Sequence, residues 1–174
     1  FGLDFEKISM PPIEKSTKPL IGINLCPAIF GDKTDYLKKI DNYLLPFINK
    51  MQDKADFVFI PGKEDDIALI DKLNSKVEMS NFTPDPNNYF ESYFKIIKKC
   101  DTIIAARYHI LFLAMILGKP TYALSYSEKT QSLLEDYKNF VKPVSNIGEA
   151  CEKIGEERLQ SMYESVNYIF ANIS

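Results

Sequence analysis

No basic tract, no CxxC pair, no glycine-rich dinucleotide fingerprint and no apolar run of membrane length occurs in these 174 residues. Each absence removes a class of function. Lys and Arg number 21 against 24 Asp and Glu, a net charge of -3, so the electrostatic footprint of a nucleic-acid binder is missing. A small anion held by a local site remains open. The three cysteines, Cys26, Cys100 and Cys151, are odd in number and far apart, and one histidine, His109, is the chain's whole supply of imidazole. Such a set frames neither a zinc cluster nor a disulfide scaffold, and the cysteines read as reduced, buried thiols. The longest apolar stretch, Ile110 to Leu117, falls well short of the roughly 20 residues a bilayer span requires, and no signal-like segment precedes it. A reducing cytoplasm is the expected compartment. After the apolar run "LIGINL" the chain reads Cys26-Pro27-Ala28 where a GxGxxG turn would begin, which argues against dinucleotide binding.

What the chain does have is enough apolar material for one core, with 45% hydrophobic and 13% aromatic residues. Residues 1–19 start at Phe1 rather than methionine and carry Pro11, Pro12 and Pro19, the pattern of an extended connection and of a piece of something longer. Residues 20–174 read as a single α/β domain. Apolar, β-rich runs at Leu20–Leu25, Asp56–Pro61, Lys76–Ser80, Asp101–Ala106 and Pro120–Ser125 alternate with helical patterns near 35–53, 64–74, 87–99, 107–118 and 127–138. Strands that are apolar throughout, rather than in alternation, suit a parallel sheet covered on both faces. The order predicts a doubly wound, Rossmann-like parallel sheet. Toward the end, Ile147, Cys151, Ile154, Met162, Val166, Ile169, Phe170 and Ile173 recur mostly at three- and four-residue spacing, the stripe of an amphipathic helix.

In open parallel sheets ligands bind beyond the carboxyl ends of the strands, where helix N-termini attract anions. Three such junctions carry polar groups here. Arg107, Tyr108 and His109 follow the strand "DTIIAA"; Ser125, Tyr126 and Lys129 follow "PTYALS"; Gly62, Lys63, Glu64, Asp65 and Asp66 follow "DFVFIP". Taken singly, each has a plain explanation: a histidine at a helix start, a surface ion pair for arginine, a solvated lysine, a capping serine, acidic residues favoured in a first helical turn. Their combination on one rim is what points to a ligand.

The specific part of the pattern is Arg107-Tyr108-His109, the apolar helix "ILFLAMILG", Lys119-Pro120, an apolar strand and then "SYSEK". It resembles the C-terminal signature of the polysaccharide pyruvyl transferase family, in which an Arg-x-His start precedes an apolar helix, a Gly-x-Pro, a strand and a Ser-Tyr-x-x-Lys. Tyr108 stands where leucine is common in that motif. The runs "LIGINL", "DFVFIP" and "EDDIALIDKL" are similar to the family's preceding elements, so the resemblance covers roughly residues 20 to 140.

The resemblance implies the C-terminal Rossmann-like half of a two-domain, GT-B-like enzyme that moves pyruvate from phosphoenolpyruvate onto two sugar hydroxyls as a cyclic ketal. It implies a glycan acceptor, with peripheral membrane association where that acceptor is lipid-linked, an N-terminal domain across the cleft, and no metal or cofactor besides the donor. His109 takes the general-acid role in this scheme and Arg107 the donor carboxylate or phosphate. Tyr108, Ser125, Tyr126, Lys129, Glu64 and Asp65 complete the expected substrate-binding rim. Two other readings share the fold: a GT-B glycosyltransferase domain gripping a nucleotide-sugar, with Glu64 or Asp65 on its ribose, and a catalytically idle binding domain.

Overall fold

The computed structural model describes residues 17–30, 38–77, 79–124, 128–137 and 141–154. Six parallel strands form one sheet in the order β3-β2-β1-β4-β5-β6. They are β1 (Leu20–Asn24), β2 (Asp56–Phe59), β3 (Ser80–Asn81), β4 (Thr102–Ala105), β5 (Thr121–Leu124) and β6 (Lys142–Val144). The described α-helices are α1 (Leu45–Met51), α2 (Glu64–Asn74), α3 (Tyr89–Lys99), α4 (Tyr108–Ile116) and α5 (Glu128–Asp136), and residues 147–154 are also helical. This is the Rossmann-like arrangement that the alternation of runs predicts.

The apolar strands are explained by two cores, one on each face. Successive strand residues point to opposite sides, so Phe57, Phe59, Ile104 and Ala106 meet α1, α2 and the helix at 147–154, whereas Val58, Ile60, Ile103 and Ala105 meet α3, α4 and α5. The helix α4 is apolar nearly all round: Ile110, Leu111, Leu113 and Ala114 are buried in the core, whereas Phe112 and Ile116 are exposed. Its end is set by Gly118, whose φ of 62° continues the chain in the left-handed region where a side chain would be strained. Gly118 and Lys119 donate to Met115 and Ala114, and Pro120 then leads into β5. The Gly-x-Pro of the sequence is therefore a helix stop and a strand start.

Two expectations need correction, and one strand was not expected. The strand expected at Lys76–Ser80 lies later, because Lys76 and Val77 still donate to the Leu73 carbonyl at the end of α2, and pairing begins only at Ser80 opposite Val58. The single helix expected over 35–53 is a π turn, Ile40–Leu44, followed by α1. Pro46 has no N–H to give to the carbonyl four residues back, and the widened turn falls where that bond is lost. The strand β6, with Pro143 in it, has no strand-like run to betray it, yet a proline is tolerated on a sheet edge. At the end of the chain, Ile147, Cys151 and Ile154 are buried as the apolar stripe requires, and the rest of that stripe lies outside the described residues. All three cysteines are free and buried. Among the described residues no helix is long and apolar enough to cross a membrane.

The centre of the sheet tolerates no extra volume. A Cβ on Gly22 of β1 would stand 2.7 Å from Ile103 Cδ1, 2.9 Å from Cys100 Sγ and 3.0 Å from Ile60 Cδ1, all three residues being inaccessible. Gly22→Ala is accordingly expected to lower stability by about 1–3 kcal/mol through overpacking. Chemical denaturation would show this as a lower midpoint at unchanged slope; an unmoved midpoint would mean that the neighbours yield.

Candidate active site

The strand order reverses direction between β1 and β4, and the carboxyl ends of these two strands bound the crevice where ligands of such sheets bind. Asn24, the last residue of β1, is wholly buried and joins three adjoining strand ends. Its Nδ2 donates to the Ile60 carbonyl at 2.8 Å, and its Oδ1 accepts from the Ala106 and Arg107 amides at 3.2 and 2.8 Å. A carboxamide is suited to this because it offers donor and acceptor together. Asn24 thus fixes the segment after β2 against the segment after β4.

The same two segments are tied a second time by charge. Arg107 is the N-cap residue of α4, with extended backbone, and its side chain turns toward α2. Its Nε donates to Asp66 Oδ2 at 3.1 Å and its Nη2 to Asp66 Oδ1 at 2.5 Å, a two-pronged pair with 10% of the arginine and 1% of the aspartate side chain accessible. Asp66 Oδ2 also accepts the amides of Gly62 and Lys63 at 2.8 and 3.1 Å. Asp66 is the third residue of α2 after its N-cap Lys63, so its carboxylate reaches back over the helix start as in a capping box. One carboxylate therefore both caps α2 and holds the guanidinium. Gly62 is required by close approach: a Cβ there would stand 2.8 Å from Arg107 Cγ and 3.2 Å from His109 Cε1.

His109, in the first turn of α4, keeps an exposed face while its Cε1 side rests against the Gly62 turn. Tyr93 of α3 meets the imidazole edge to face, centroids 5.9 Å apart at 84°. Burial pushes the His109 pKa below its ordinary 6.5, helped by the positive charges of Arg107 and Lys63 and opposed by Asp66. The free imidazole is thus held mostly neutral at pH 7 and takes a proton readily only when further negative charge arrives. The Cys26 thiol, buried just beyond β1, is pushed up by desolvation more than Arg107 draws it down, which favours the protonated thiol.

Of the residues expected on the rim, Arg107 and His109 stand together at the β4–α4 junction, with Tyr108 half-buried between them. In this structure the arginine fork closes on Asp66. Lys129 Nζ lies 4.5 Å from the centroid of the Tyr108 ring, which brings the junction after β5 beside the one after β4. Glu64 and Asp65 are exposed on the first turn of α2. Ser125 and Tyr126 lie outside the described residues. Three participants escaped the sequence reading. Asp66 was placed on the rim but not in the site, although its position three residues after the helix cap was a usable signal. Asn24 showed as the one polar side chain in "LIGINL". Tyr93 gave none, since an aromatic residue on an amphipathic helix usually means core. Among the described residues no three His, Cys, Asp or Glu side chains converge as metal ligands would.

Removing Asp66 strands a buried guanidinium and uncaps α2. Asp66→Ala is expected to cost about 3–5 kcal/mol in chemical denaturation, and adding Arg107→Met should recover part of that loss by removing the orphaned charge. A cost below about 1 kcal/mol would place the pair among ordinary surface bridges.

The fold has solved counterparts. The UDP-GlcNAc 2-epimerase of Methanocaldococcus jannaschii, in complex with UDP-GlcNAc and UDP, superposes with a TM-score of 0.59 at 15% identity over 79% of this chain. The S. aureus MnaA–UDP structure gives 0.57 at 14% identity over 81%. The chain spans 38% and 37% of the length of these two proteins. At such identities the likeness is one of fold. No curated protein matches the sequence. The model of the polysaccharide pyruvyl transferase family matches residues 9–128, a stretch that takes in β1 through β5, the Asp66–Arg107 pair and the Arg-Tyr-His junction, and the chain belongs to that family.

Proposed function

We propose that this domain binds phosphoenolpyruvate at the β4–α4 junction and serves the transfer of its pyruvyl group to two hydroxyls of a glycan, as a cyclic ketal, working with a second domain across the cleft. The observation that carries this reading is the single imidazole of a pyruvyl transferase family member, set at the switch point of the sheet beside a fixed guanidinium. The chemistry needs a proton carrier and cations, and both kinds of group stand there.

In the proposed sequence His109, protonated as the anionic donor arrives, delivers its proton to the terminal carbon of the enol. The neighbouring carbon becomes electrophilic and a sugar hydroxyl adds to it, returning a proton to the imidazole. The phosphate then leaves as the C–O bond breaks, and the second hydroxyl closes the ring. Of the two hydroxyl protons, one ends on the new methyl group and one on the departing phosphate, so the ledger balances without an oxidant. Arg107, with Nε and Nη2 held by Asp66, supplies positive charge at the junction that the donor's anionic groups approach, and Lys129 adds a second cation beside Tyr108. A nucleotide-sugar site would use the same rim. Thermal-shift titration with phosphoenolpyruvate against UDP- and GDP-sugars separates the two, and stabilisation by the sugar nucleotides alone would transfer the chain to the other reading.

His109→Ala is expected to abolish pyruvyl transfer, read as phosphate release and mass gain on the glycan, while thermal unfolding stays near the wild type. Undiminished turnover would remove histidine from the chemistry. Transfer needs one proton more than the free imidazole carries at pH 7, and kcat/KM reports the free enzyme, so it should fall as pH rises through a value below 6.5. A profile flat from pH 5 to 8 would contradict that role. Arg107→Lys removes the planar fork and should raise KM for phosphoenolpyruvate by about tenfold or more; unchanged saturation would mean that Arg107 serves only to brace Asp66.

A further inference from the structure

A series of aromatic rings leads from the edge of the sheet to the imidazole. Phe82, just after β3, is buried and meets the Tyr93 ring edge on, with centroids 5.3 Å apart at 65°. Tyr89, one turn earlier on α3, stacks on Tyr93 at 6.4 Å and 18°. Tyr93 in turn meets His109. Tyr93 is 8% accessible, and its hydroxyl donates at 2.5 Å to the carbonyl of Pro61, the residue before the Gly62 turn that lies under His109 Cε1. The tyrosine thus touches the imidazole on one side and the floor beneath it on the other. Burial pushes the hydroxyl up to about 12, so it remains a neutral donor throughout the working range.

We infer that Tyr93 is a positioning residue for His109, its ring fixing the plane of the imidazole and its hydroxyl fixing the Gly62 turn against which the imidazole rests. The inference rests on the proposed proton-carrying role of His109 and names the group on a neighbouring helix that makes the role possible. An imidazole that must reach both an enol carbon and a hydroxyl cannot be left to rotate about its own side-chain bonds, and an edge-to-face contact limits that rotation without supplying a competing hydrogen bond. The charged and titratable groups that face the imidazole are Asp66 from α2, Arg107 at the start of α4, Lys63 in the turn and Tyr93 itself from α3. Of these only Tyr93 adds no charge, so its removal changes shelter and orientation while the electrostatic set stays in place.

Because the chain holds one histidine, proton NMR of the imidazole reports on this site without assignment ambiguity. The test compares the wild-type full chain with Tyr93→Leu and Tyr93→Phe. In Tyr93→Leu the imidazole protons should lose the ring-current displacement and titrate closer to the ordinary 6.5; in Tyr93→Phe the ring-current displacement should stay while the titration moves part of the way, because the Gly62 turn has lost the hydroxyl that ties it. Tyr93→Met, of similar bulk, replaces the Leu variant if that chain does not fold. Where pyruvyl transfer is measurable, Tyr93→Leu should lower kcat about tenfold with KM for phosphoenolpyruvate changed less than about twofold, and the pH profile should move with the NMR titration. An imidazole in Tyr93→Leu with wild-type shifts and titration overturns the inference, as does wild-type kcat with a displaced titration in a protein that His109→Ala inactivates. The NMR arm needs no donor, so a displaced imidazole in a protein for which His109→Ala remains fully active refutes the catalytic reading and leaves the positioning of the ring standing.

Discussion

A buried carboxylate shared between a helix start and a guanidinium organises this molecule's functional end. Asp66 accepts from Gly62, Lys63 and Arg107 at once, so the turn after β2 and the helix start after β4 cannot shift independently. An isolated buried ion pair is weak support for stability, because desolvation offsets much of the attraction. Here both carboxylate oxygens are satisfied and the pair sits where two crossovers diverge, so its effect is chiefly geometric: it sets where the imidazole stands relative to the crevice.

Asn24 performs a related task without charge. Parallel sheets leave the last amides and carbonyls of their strands without ladder partners at the carboxyl edge, and in a buried crevice each would carry a desolvation cost. One carboxamide satisfies groups on two neighbouring strands, and the floor of the site is closed with no charged group spent on it. Arg107 therefore stands beside a neutral, hydrogen-bonded base; the negative charge nearest to it is the Asp66 carboxylate it holds, and Glu64 and Asp65 lie exposed on the same helix start.

The lowered proton affinity of His109 follows from the same construction. Its neighbours are two cations, one anion and an aromatic ring, and the ring and turn shelter one side from water. On the proposed reading, a donor with two negative groups would shift that balance toward the protonated imidazole, and binding and proton uptake would be coupled.

The sheet, its parallel sense, the gross order of elements and the rim carrying Arg107 and His109 were legible in the sequence, because apolar runs, helical periodicity and the Arg-x-His, Gly-x-Pro pattern are local along the chain. What the sequence hid was non-local. Asp66 and Arg107 are 41 positions apart, Asn24 and Arg107 83 apart, and no periodicity relates them. The short edge strands were missed or misplaced for a like reason, since Ser80–Asn81 and Lys142–Val144 are strands only by virtue of the neighbour they pair with. Sequence alone determined which residue types stand at the strand ends. Only the tertiary structure decided that the arginine's fork closes on Asp66 and that a tyrosine from α3 flanks the histidine, because those contacts arise when the strand order reverses and brings separate crossovers to one edge.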